Sequence, residues 1–249
     1  MKVIFNADDF GLSKGVNLGI IEAYRCGPVR STTIIAGMPG FEHALELSKM
    51  NPDLKIGIHL MVSSGKSVGG VYKTITDTNG QFLRLTEVES MAKAGKTDLV
   101  EVETEFEAQI TKVLAAGINP DHFDTHHHVH NLPGITAVYL KLAKKYGVSV
   151  RSYENNSSTG ESIAIKTTDA FSSEFYGDTA TPEDLRRMLA DCGAGTFEIM
   201  CHPAYVDYEL YSASSYNIKR VYELSILTSP EIMDYIKQRG IELCSFGDL

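Results

Sequence analysis

Short apolar segments alternate with longer amphipathic segments along the whole chain, and this alternation constrains the fold more than any other feature of the sequence. Each short segment has the length and β-branched composition of a strand, whereas each longer segment has the apolar spacing of a helix. A βα alternation indicates a parallel sheet. With seven or eight mostly parallel strands, we predict an α/β protein with a closed or nearly closed barrel rather than an open sheet.

The predicted elements cover most of the chain. Strands are predicted over residues 3–6, 32–36, 55–60, 122–125, 149–152, 196–200 and 241–245. The clearest helices are predicted over residues 99–116, 133–146, 182–191 and 230–238, and residues 15–24 suggest a further helix. Residues 63–81 and 154–168 fit neither pattern. We predict two long loops near a functional site, although surface excursions would explain both segments equally well.

Length, charge and cysteine content limit the function. A chain of 249 residues can bury a full core, so we expect a single domain over residues 1–249. The formal net charge of −9 disfavours nucleic acids and anionic membranes as partners and favours a small-molecule substrate. The four scattered cysteines indicate buried reduced thiols rather than disulfides or a zinc knuckle. We find neither a signal peptide nor a membrane-spanning run, so a cytoplasmic protein is expected.

Two adjacent aspartates, Asp8 and Asp9, follow the first predicted strand and precede Gly11. At the end of a strand, both carboxylates reach a sheet edge where a metal ion or another ligand can approach. A helix N-cap is the structural alternative, but capping needs only one aspartate. Two aspartates side by side repel each other unless a proton or a cation relieves the repulsion. The pair is therefore a candidate functional site.

One histidine lies at the end of another predicted strand. His59 closes the strand over residues 55–60, so on a parallel sheet it points out at the same edge as the aspartate pair. A hydrogen-bonded surface histidine is the alternative at such a position. His59 becomes a candidate metal ligand once other ligands are found at the same edge.

Four of the eight histidines follow the predicted strand 122–125, at positions His126, His127, His128 and His130. Imidazole is the usual nitrogen ligand of zinc and related divalent ions, whereas a solvated polar loop is the alternative explanation. In an extended segment, His127 would turn away from the face that the other three share. At most some of the four can therefore reach a single ion.

The ligand types indicate catalysis. One carboxylate and two imidazoles would leave open metal positions for water and substrate, which is typical of catalytic rather than structural sites. Metal-dependent hydrolysis is therefore the leading hypothesis. His202 follows another predicted strand, and Pro203 ends that strand and exposes the ring at its carboxyl edge. A packed core histidine is the alternative at this position.

Four ordered motifs resemble those of the YdjC-like carbohydrate deacetylases, most closely the chitooligosaccharide (chitin disaccharide) deacetylase branch. They are Asn6-Ala7-Asp8-Asp9-Phe10-Gly11, Gly57-Ile58-His59, Asp124-Thr125-His126-His127-His128-Val129-His130 and Met200-Cys201-His202-Pro203-Ala204. The resemblance extends over nearly the whole chain. The sequence departs from the branch at Thr125, where a serine is expected and the hydroxyl is kept, and residues 63–81 do not match it closely.

The resemblance implies a distorted (β/α) barrel, a homodimer and one divalent metal ion, usually assigned as magnesium. It implies that Asp9, His59 and His126 bind the ion. By the same resemblance, Asp8 is the general base and His202 is the acid. The ligand types suit zinc, manganese or cobalt better than magnesium, because Mg²⁺ prefers a cage of oxygen ligands.

The resemblance also implies an acetylated amino-sugar substrate, an N-acetylglucosamine residue in a short oligosaccharide such as diacetylchitobiose or its 6-phosphate. We expect Arg151 and His128 to contact this substrate. Arg151, Lys219 and Arg220 could each meet a phosphate or a carboxylate, or form a structural ion pair.

Three alternatives to this function stay open at the level of sequence. They are another metal-dependent amide hydrolase, a non-haem iron oxygenase with the same two-histidine, one-carboxylate ligand set, and a non-catalytic sugar-phosphate binding protein. Asp8 and His202 form an acid–base pair that oxygen activation would not require. Hydrolysis is therefore favoured over oxygenation.

Overall fold

The structure is a computed structural model that describes residues 1–153, 165–191, 193 and 195–249. The chain divides into two compact units. The first unit comprises Met1–Ile34, Pro39–Ile56 and Thr168–Leu249, and the second comprises Ile35–Met38 and Gly57–Thr167. The expectation of a single domain stays a prediction, because compactness does not show whether either unit folds alone.

Strands and helices alternate through the described residues, as the sequence predicts. The strands are β1 (Lys2–Phe10), β2 (Ser31–Ile34), β3 (Lys55–Leu60), β4 (His122–Thr125), β5 (Ser149–Val150), β6 (Ala170–Ser172), β7 (Thr196–Cys201) and β8 (Glu242–Leu243). The α-helices are α1 (Lys14–Cys26), α2 (Phe41–Met50), α3 (Leu85–Lys93), α4 (Leu99–Ala115), α5 (Ile135–Tyr146), α6 (Pro182–Asp191), α7 (Tyr208–Ala213), α8 (Ile218–Leu227) and α9 (Pro230–Gln238).

In the first unit, β1 is the central strand. It pairs in parallel with β2 and β7, its first residues pair with β8, and β6 pairs in parallel with the far side of β7. The segment Val3-Ile4-Phe5 is fully buried, because a strand with neighbours on both sides and helices over it exposes neither face. The register aligns Asn6 with Met200 and Ala7 with Cys201. The next residues are Asp8, within the last part of β1, and His202, directly after β7.

In the second unit, β3, β4 and β5 pair in parallel, in that order. The register aligns His59 with Asp124 and Leu60 with Thr125. The strand-end histidine of β3 therefore lies directly beside an aspartate of β4. This alignment places an imidazole and a carboxylate within reach of each other before any loop contributes.

Residues 63–81 contain neither a helix nor a strand, as predicted, but a buried carboxylate of α4 holds them in place. Glu105 is fully buried and accepts hydrogen bonds from the main-chain N–H groups of Val68 and Gly69, each at 2.8 Å. Two isolated antiparallel bridges also close the segment on itself. Residues 154–164 of the second predicted loop lie outside the described residues.

Most predicted elements are confirmed. The bounds of β3, β4, α6 and α9 agree with the prediction, and the other predicted elements differ by a few residues at their ends. Helices α2, α3, α7 and α8 were not predicted, because they lack the proline at the first helical position that helped to identify α6 and α9. Strand β6, with three residues, is too short for its pattern to be recognised. The longest difference lies in β1, which continues through Asp8 and Asp9 to Phe10. The prediction that the strand stops before the acidic pair is therefore wrong.

The composition-based expectations are confirmed in part. Cys201 and Cys244 are buried free thiols, as expected, whereas Cys26 is a free thiol that is exposed. The expectation of burial is wrong for Cys26, because it closes α1 at the protein surface. Cys192 lies outside the described residues. None of the described helices has both the length and the apolar character needed to cross a membrane.

Helix α1 packs closely on the segment that follows β7, and we predict that Gly19 cannot be enlarged. A Cβ atom at Gly19 would lie 2.4 Å from the Cα of Ala204. Alanine favours helices by about 1 kcal/mol over glycine, but such a main-chain clash costs about 1–3 kcal/mol. Gly19→Ala should therefore lower the free energy of unfolding in urea, whereas Leu18→Ala, at an exposed position of the same helix, should change it little. An unchanged or higher stability for Gly19→Ala would show that the packing is looser than described.

Candidate active site

Asp8 is a buried carboxylate whose orientation is fixed by its own strand. The Nδ2 of Asn6 donates a hydrogen bond to Asp8 Oδ1 at 2.8 Å. Ser31 of β2 donates from its hydroxyl to Asn6 Oδ1 at 2.7 Å, so the amide of Asn6 cannot turn freely. Only 2% of Asp8 is exposed to solvent. A neutral amide donor thus fixes the orientation of the Asp8 carboxylate.

Asp9 has a different environment, which a strained main chain creates. Its φ angle is 73°, in the left-handed region that residues other than glycine seldom adopt. The register between β1 and β2 shifts between Ala7 and Phe10, which is the mark of a β-bulge. Because of this bulge, the two adjacent aspartates point to different partners. Such strain is commonly found where a side chain has to be aimed at a functional site.

The partner of Asp9 within the first unit is a buried arginine. Arg220 of α8 donates from Nη2 to Asp9 Oδ2 at 2.7 Å, and both side chains are at least 95% buried. Arg220 also donates from Nε to the carbonyl oxygen of Tyr216 at 2.8 Å. The sequence left open whether Arg220 meets a ligand or forms an ion pair; here it forms an ion pair. A charged partner compensates for the burial of the Asp9 carboxylate.

His202 follows β7 and lies above a buried carboxylate. Its main-chain N–H donates to Glu223 Oε2, and its ring Nδ1 lies 3.9 Å from Glu223 Oε1. The edges of its ring meet the rings of Tyr176 and Tyr216 at centroid distances of 5.5 and 5.8 Å. His202 is mostly buried, with 8% of its surface exposed. His202 therefore has an acidic neighbour and is not packed in a purely apolar core.

Glu223 and Tyr216 were not identified from the sequence. Burial raises the pKa of Glu223 to about 7, although hydrogen bonds from the Tyr216 hydroxyl and the His202 N–H oppose this increase. Burial and the Glu223 carboxylate also raise the pKa of Tyr216. A glutamate in a short amphipathic helix gives no sequence signal of burial. Only its spacing of three residues from Arg220 indicates that the two share a helix face.

In the second unit, His59, Asp124 and Arg151 form a buried chain of two polar contacts. His59 Nδ1 lies 2.7 Å from Asp124 Oδ1, and Arg151 Nη1 lies 3.0 Å from Asp124 Oδ2. All three side chains are at least 98% buried. When Nδ1 donates its proton to Asp124, the other ring nitrogen, Nε2, is left with a lone pair. A carboxylate behind a histidine in this manner is the usual arrangement around metal-binding histidines.

His126 faces the Nε2 atom of His59. His126 Nδ1 lies 3.3 Å from His59 Nε2, and the two rings meet edge to face at 5.4 Å. Two nitrogen ligands placed about 2.0–2.1 Å from a tetrahedral ion would lie about 3.3–3.4 Å apart. The pair therefore fits two imidazole ligands of one divalent ion. Asp124 belongs to one of the sequence motifs, but only the strand register that pairs it with His59 indicates its role.

The segment after β4 is not extended, so the predicted alternation of its histidines is wrong. Residues His126–Asn131 form a 3₁₀ turn, and His127 and His128 adopt left-handed φ angles of 56° and 52°. This turn brings the rings of His126 and His127 to 3.8 Å and places His127 Nδ1 2.9 Å from the Ser63 hydroxyl. The sequence pattern could not show this turn, because left-handed residues break the strand period on which the prediction relied.

His130 has a structural environment. Its Nδ1 lies 2.6 Å from the Thr125 hydroxyl, and its ring stacks on Tyr139. Burial lowers the pKa of His130 to about 3, with the nearby charges of His128 and Arg151 acting in the same direction. His130 is therefore neutral at physiological pH. The fixed Thr125 hydroxyl explains why a hydroxyl is useful at the position where the sequence departs from the resembled branch.

The structure describes the surroundings of Arg151 and His128, the two residues expected to contact substrate. Arg151 is fully buried against Asp124, and the ring of His128 meets that of His130 edge to face at 5.8 Å. Their contact with substrate stays a prediction. Lys219, which could also have met an anion, pairs with the exposed Asp178 at 2.6 Å.

Comparisons with known proteins place this geometry in a family. The model of the family described as "YdjC-like protein" matches residues 2–238. A carbohydrate deacetylase of Listeria monocytogenes serotype 4a (strain HCC23) is 46% identical over 253 aligned positions, which cover 100% of both chains. A solved structure from Enterococcus faecalis V583, of a protein proposed to cleave cellobiose phosphate, has a TM-score of 0.88 and 34% identity. It covers 99% of this chain and 98% of that chain.

A more distant solved structure shows the fold alone. The family 4 acetyl xylan esterase from Clostridium thermocellum, solved in complex with a cobalt ion, has a TM-score of 0.51 and 11% identity. The match covers 99% of this chain and 89% of that chain. Together with the parallel strand pairings, this likeness confirms the predicted fold class, an α/β fold of the distorted-barrel type.

We predict that Asp124 controls metal binding through His59. Asp124→Asn should keep the side-chain shape but remove the charge that holds the Nδ1 proton, so affinity for zinc should fall about 10–100-fold. Calorimetric titration of metal-stripped protein with zinc would measure the change. Asp178→Asn removes an exposed carboxylate and is the matched control, which should bind zinc like the unmodified chain. Equal affinities of the two variants for zinc would contradict the role of Asp124 in metal binding.

Proposed function

The chain belongs to the family of YdjC-like proteins, and from that premise we propose that it removes the N-acetyl group from N-acetylglucosamine residues of short oligosaccharides. The enzyme is a carbohydrate deacetylase, and hence a hydrolase. Within that activity, we propose diacetylchitobiose or its 6-phosphate as the substrate, the assignment that the motifs of the chitooligosaccharide branch favour. A homodimer is proposed on the same ground.

The observation that carries the proposal is the histidine pair backed by a carboxylate. His59 and His126 present two nitrogen atoms 3.3 Å apart, and Asp124 orients the first of them. We propose that Asp9 supplies the third ligand, as the resemblance to the YdjC-like carbohydrate deacetylases implies. Magnesium is the ion that the resemblance suggests, whereas zinc, manganese or cobalt suits two imidazoles and one carboxylate better. A bound divalent ion would polarise the amide carbonyl and make water more acidic.

Asp8 is proposed as the general base. Its Oδ1 accepts from Asn6, and the remaining acceptor capacity of the carboxylate can take a proton from the attacking water. The Asn6 amide is a neutral donor, so this hydrogen bond orients the Asp8 carboxylate without neutralising its charge. The base and the proposed ligand Asp9 are thus separated by the β-bulge, although they are adjacent in sequence.

His202 is proposed as the general acid. An amide nitrogen leaves poorly unless it is protonated as the C–N bond breaks, because an amine anion is too basic to depart. A protonated His202 would give its proton to that nitrogen, and the products are acetate and a free amino sugar. The glycosidic bond stays intact, because glycosidases need two carboxylates that flank the scissile bond. Arg151 and His128 remain the proposed substrate contacts.

Each of the three other functions would give a different experimental result. Another amide hydrolase would release an acid from a different amide, an iron oxygenase would consume oxygen when loaded with ferrous ion, and a binding protein would retain the sugar unchanged. No contact described here favours any of these over deacetylation, whereas Asp8 and His202 favour hydrolysis. Deacetylation is therefore the function that the residues support best.

The direct test is acetate release from diacetylchitobiose and from its 6-phosphate. Metal-stripped protein should be inactive, and activity should return when magnesium, zinc, manganese or cobalt is restored one at a time. Mass spectrometry should show the loss of one acetyl group from an intact disaccharide. The appearance of monosaccharide, or an unchanged disaccharide with every ion, would contradict the proposed reaction.

We predict that the adjacent aspartates differ in function. Asp8→Asn should bind metal normally but lose about two to four orders of magnitude in kcat, the usual worth of a positioned general base. Asp9→Asn should lose both metal and activity, because the amide lacks the charge of the ligand. Metal content by elemental analysis and steady-state kinetics would measure the two effects. Reversed phenotypes would exchange the two roles, and activity in both variants would contradict the mechanism.

A further inference from the structure

A buried carboxylate beside the proposed acid has no role in the reaction as described above. Glu223 is fully buried in α8, yet it contacts His202 in two ways. Its Oε2 accepts from the His202 main-chain N–H, and its Oε1 lies 3.9 Å from the ring Nδ1. The Tyr216 hydroxyl donates to the same Oε1. Glu223 therefore fixes the main chain of His202 and places a carboxylate beside its ring.

We propose that Glu223 is a positioning residue that raises the proton affinity of His202, and that Tyr216 keeps Glu223 in its ionised form. This inference rests on the proposed function in one respect, namely that His202 acts as the general acid. Glu223 touches neither substrate nor reacting atoms; it acts through the imidazole. The chemical effect is that His202 holds its proton at a higher pH than an isolated histidine would.

Charge and distance provide the physical reason. An ionised carboxylate within about 4–6 Å stabilises the protonated form of a neighbouring group and shifts its pKa by about 1–3 units. An ordinary histidine has a pKa of about 6.5, so most of it is neutral above pH 7 and cannot act as an acid. The Glu223 carboxylate would extend the protonated form of His202 into the neutral and mildly alkaline range.

The surroundings of Glu223 determine how much of it is ionised. Burial raises its pKa to about 7, and the negative charge of Asp8 acts in the same direction. The Tyr216 hydroxyl, the His202 N–H and the Arg220 guanidinium lower it. Removal of the Tyr216 hydroxyl should therefore raise the pKa of Glu223 and reduce its support for His202 near neutral pH.

Tyr216 is itself held in place on several sides. Its ring stacks on Tyr176 at 3.9 Å, and the Arg220 guanidinium lies 5.4 Å from its centre. Its hydroxyl accepts from the main-chain N–H of Gly177 at 2.8 Å and donates to Glu223. A tyrosine fixed in this way presents its hydroxyl to Glu223 in a single orientation. Arg220, one turn before Glu223 in α8, anchors the same helix to Asp9.

The test is the titration of His202 by NMR in the full-length protein. The imidazole signal of His202 is assigned by its loss in His202→Gln, and its pKa is then compared between variants. Glu223→Gln should lower the pKa of His202 by about one unit or more. The alkaline limb of the pH profile of kcat/KM should move to lower pH by the same amount. We expect kcat to be reduced and KM to change little. Glu209→Gln, which removes an exposed carboxylate of α7, is the matched control and should leave the pKa unchanged.

Tyr216→Phe provides a second, milder variant. It keeps the aromatic stack but removes the hydroxyl, so the pKa of His202 should fall in the same direction by a smaller amount. An unchanged pKa of His202 in folded Glu223→Gln would overturn the proposal, as would an unchanged value in Tyr216→Phe if Glu223→Gln does not fold. A lowered pKa in a protein that releases no acetate would support control of His202 by Glu223 and contradict the proposed reaction instead.

Discussion

The burial of carboxylates at the ends of parallel strands is the constraint on which the rest of the structure depends. Asp8 and Asp9 are both at least 98% buried in β1, and two adjacent buried charges are unstable without compensation. The structure compensates them separately, with the amide of Asn6 on one and the guanidinium of Arg220 on the other. A regular strand would place the two side chains on opposite faces, and the bulge with the left-handed φ of Asp9 changes the direction of the second side chain.

In the second unit, the buried carboxylate of Asp124 is likewise compensated, with one partner on each oxygen. Arg151 balances its charge, and His59 donates to its other oxygen. An arginine fixed in this pair stabilises the carboxylate, the carboxylate fixes the imidazole tautomer, and the tautomer leaves one nitrogen for a metal ion. The orientation of the His59 ring therefore depends on a buried ion pair between Arg151 and Asp124.

The sequence predicted the parts of the fold that follow from hydrophobic periodicity and from the residues at the ends of strands. The bounds of β3 and β4 were predicted from short segments of strand-like composition, and His59 and His126 lie near or just after the carboxyl ends of these strands, as expected. Two local features were not predictable, namely the left-handed φ of Asp9 and the turn at His127. Both depend on backbone conformations that a hydrophobic pattern does not encode. Glu223 was missed because the burial of a polar helix residue depends on its tertiary neighbours.

The central claim, a divalent ion held by His59 and His126, is tested most directly by metal content. Equilibrium dialysis of the protein against zinc, followed by elemental analysis, should give one ion per chain. His126→Ala should remain folded by circular dichroism and lose most of that ion. His127→Ala, the adjacent variant with its ring 3.8 Å away, should retain it. One full equivalent of zinc in folded His126→Ala, or its loss only in His127→Ala, would contradict the assignment.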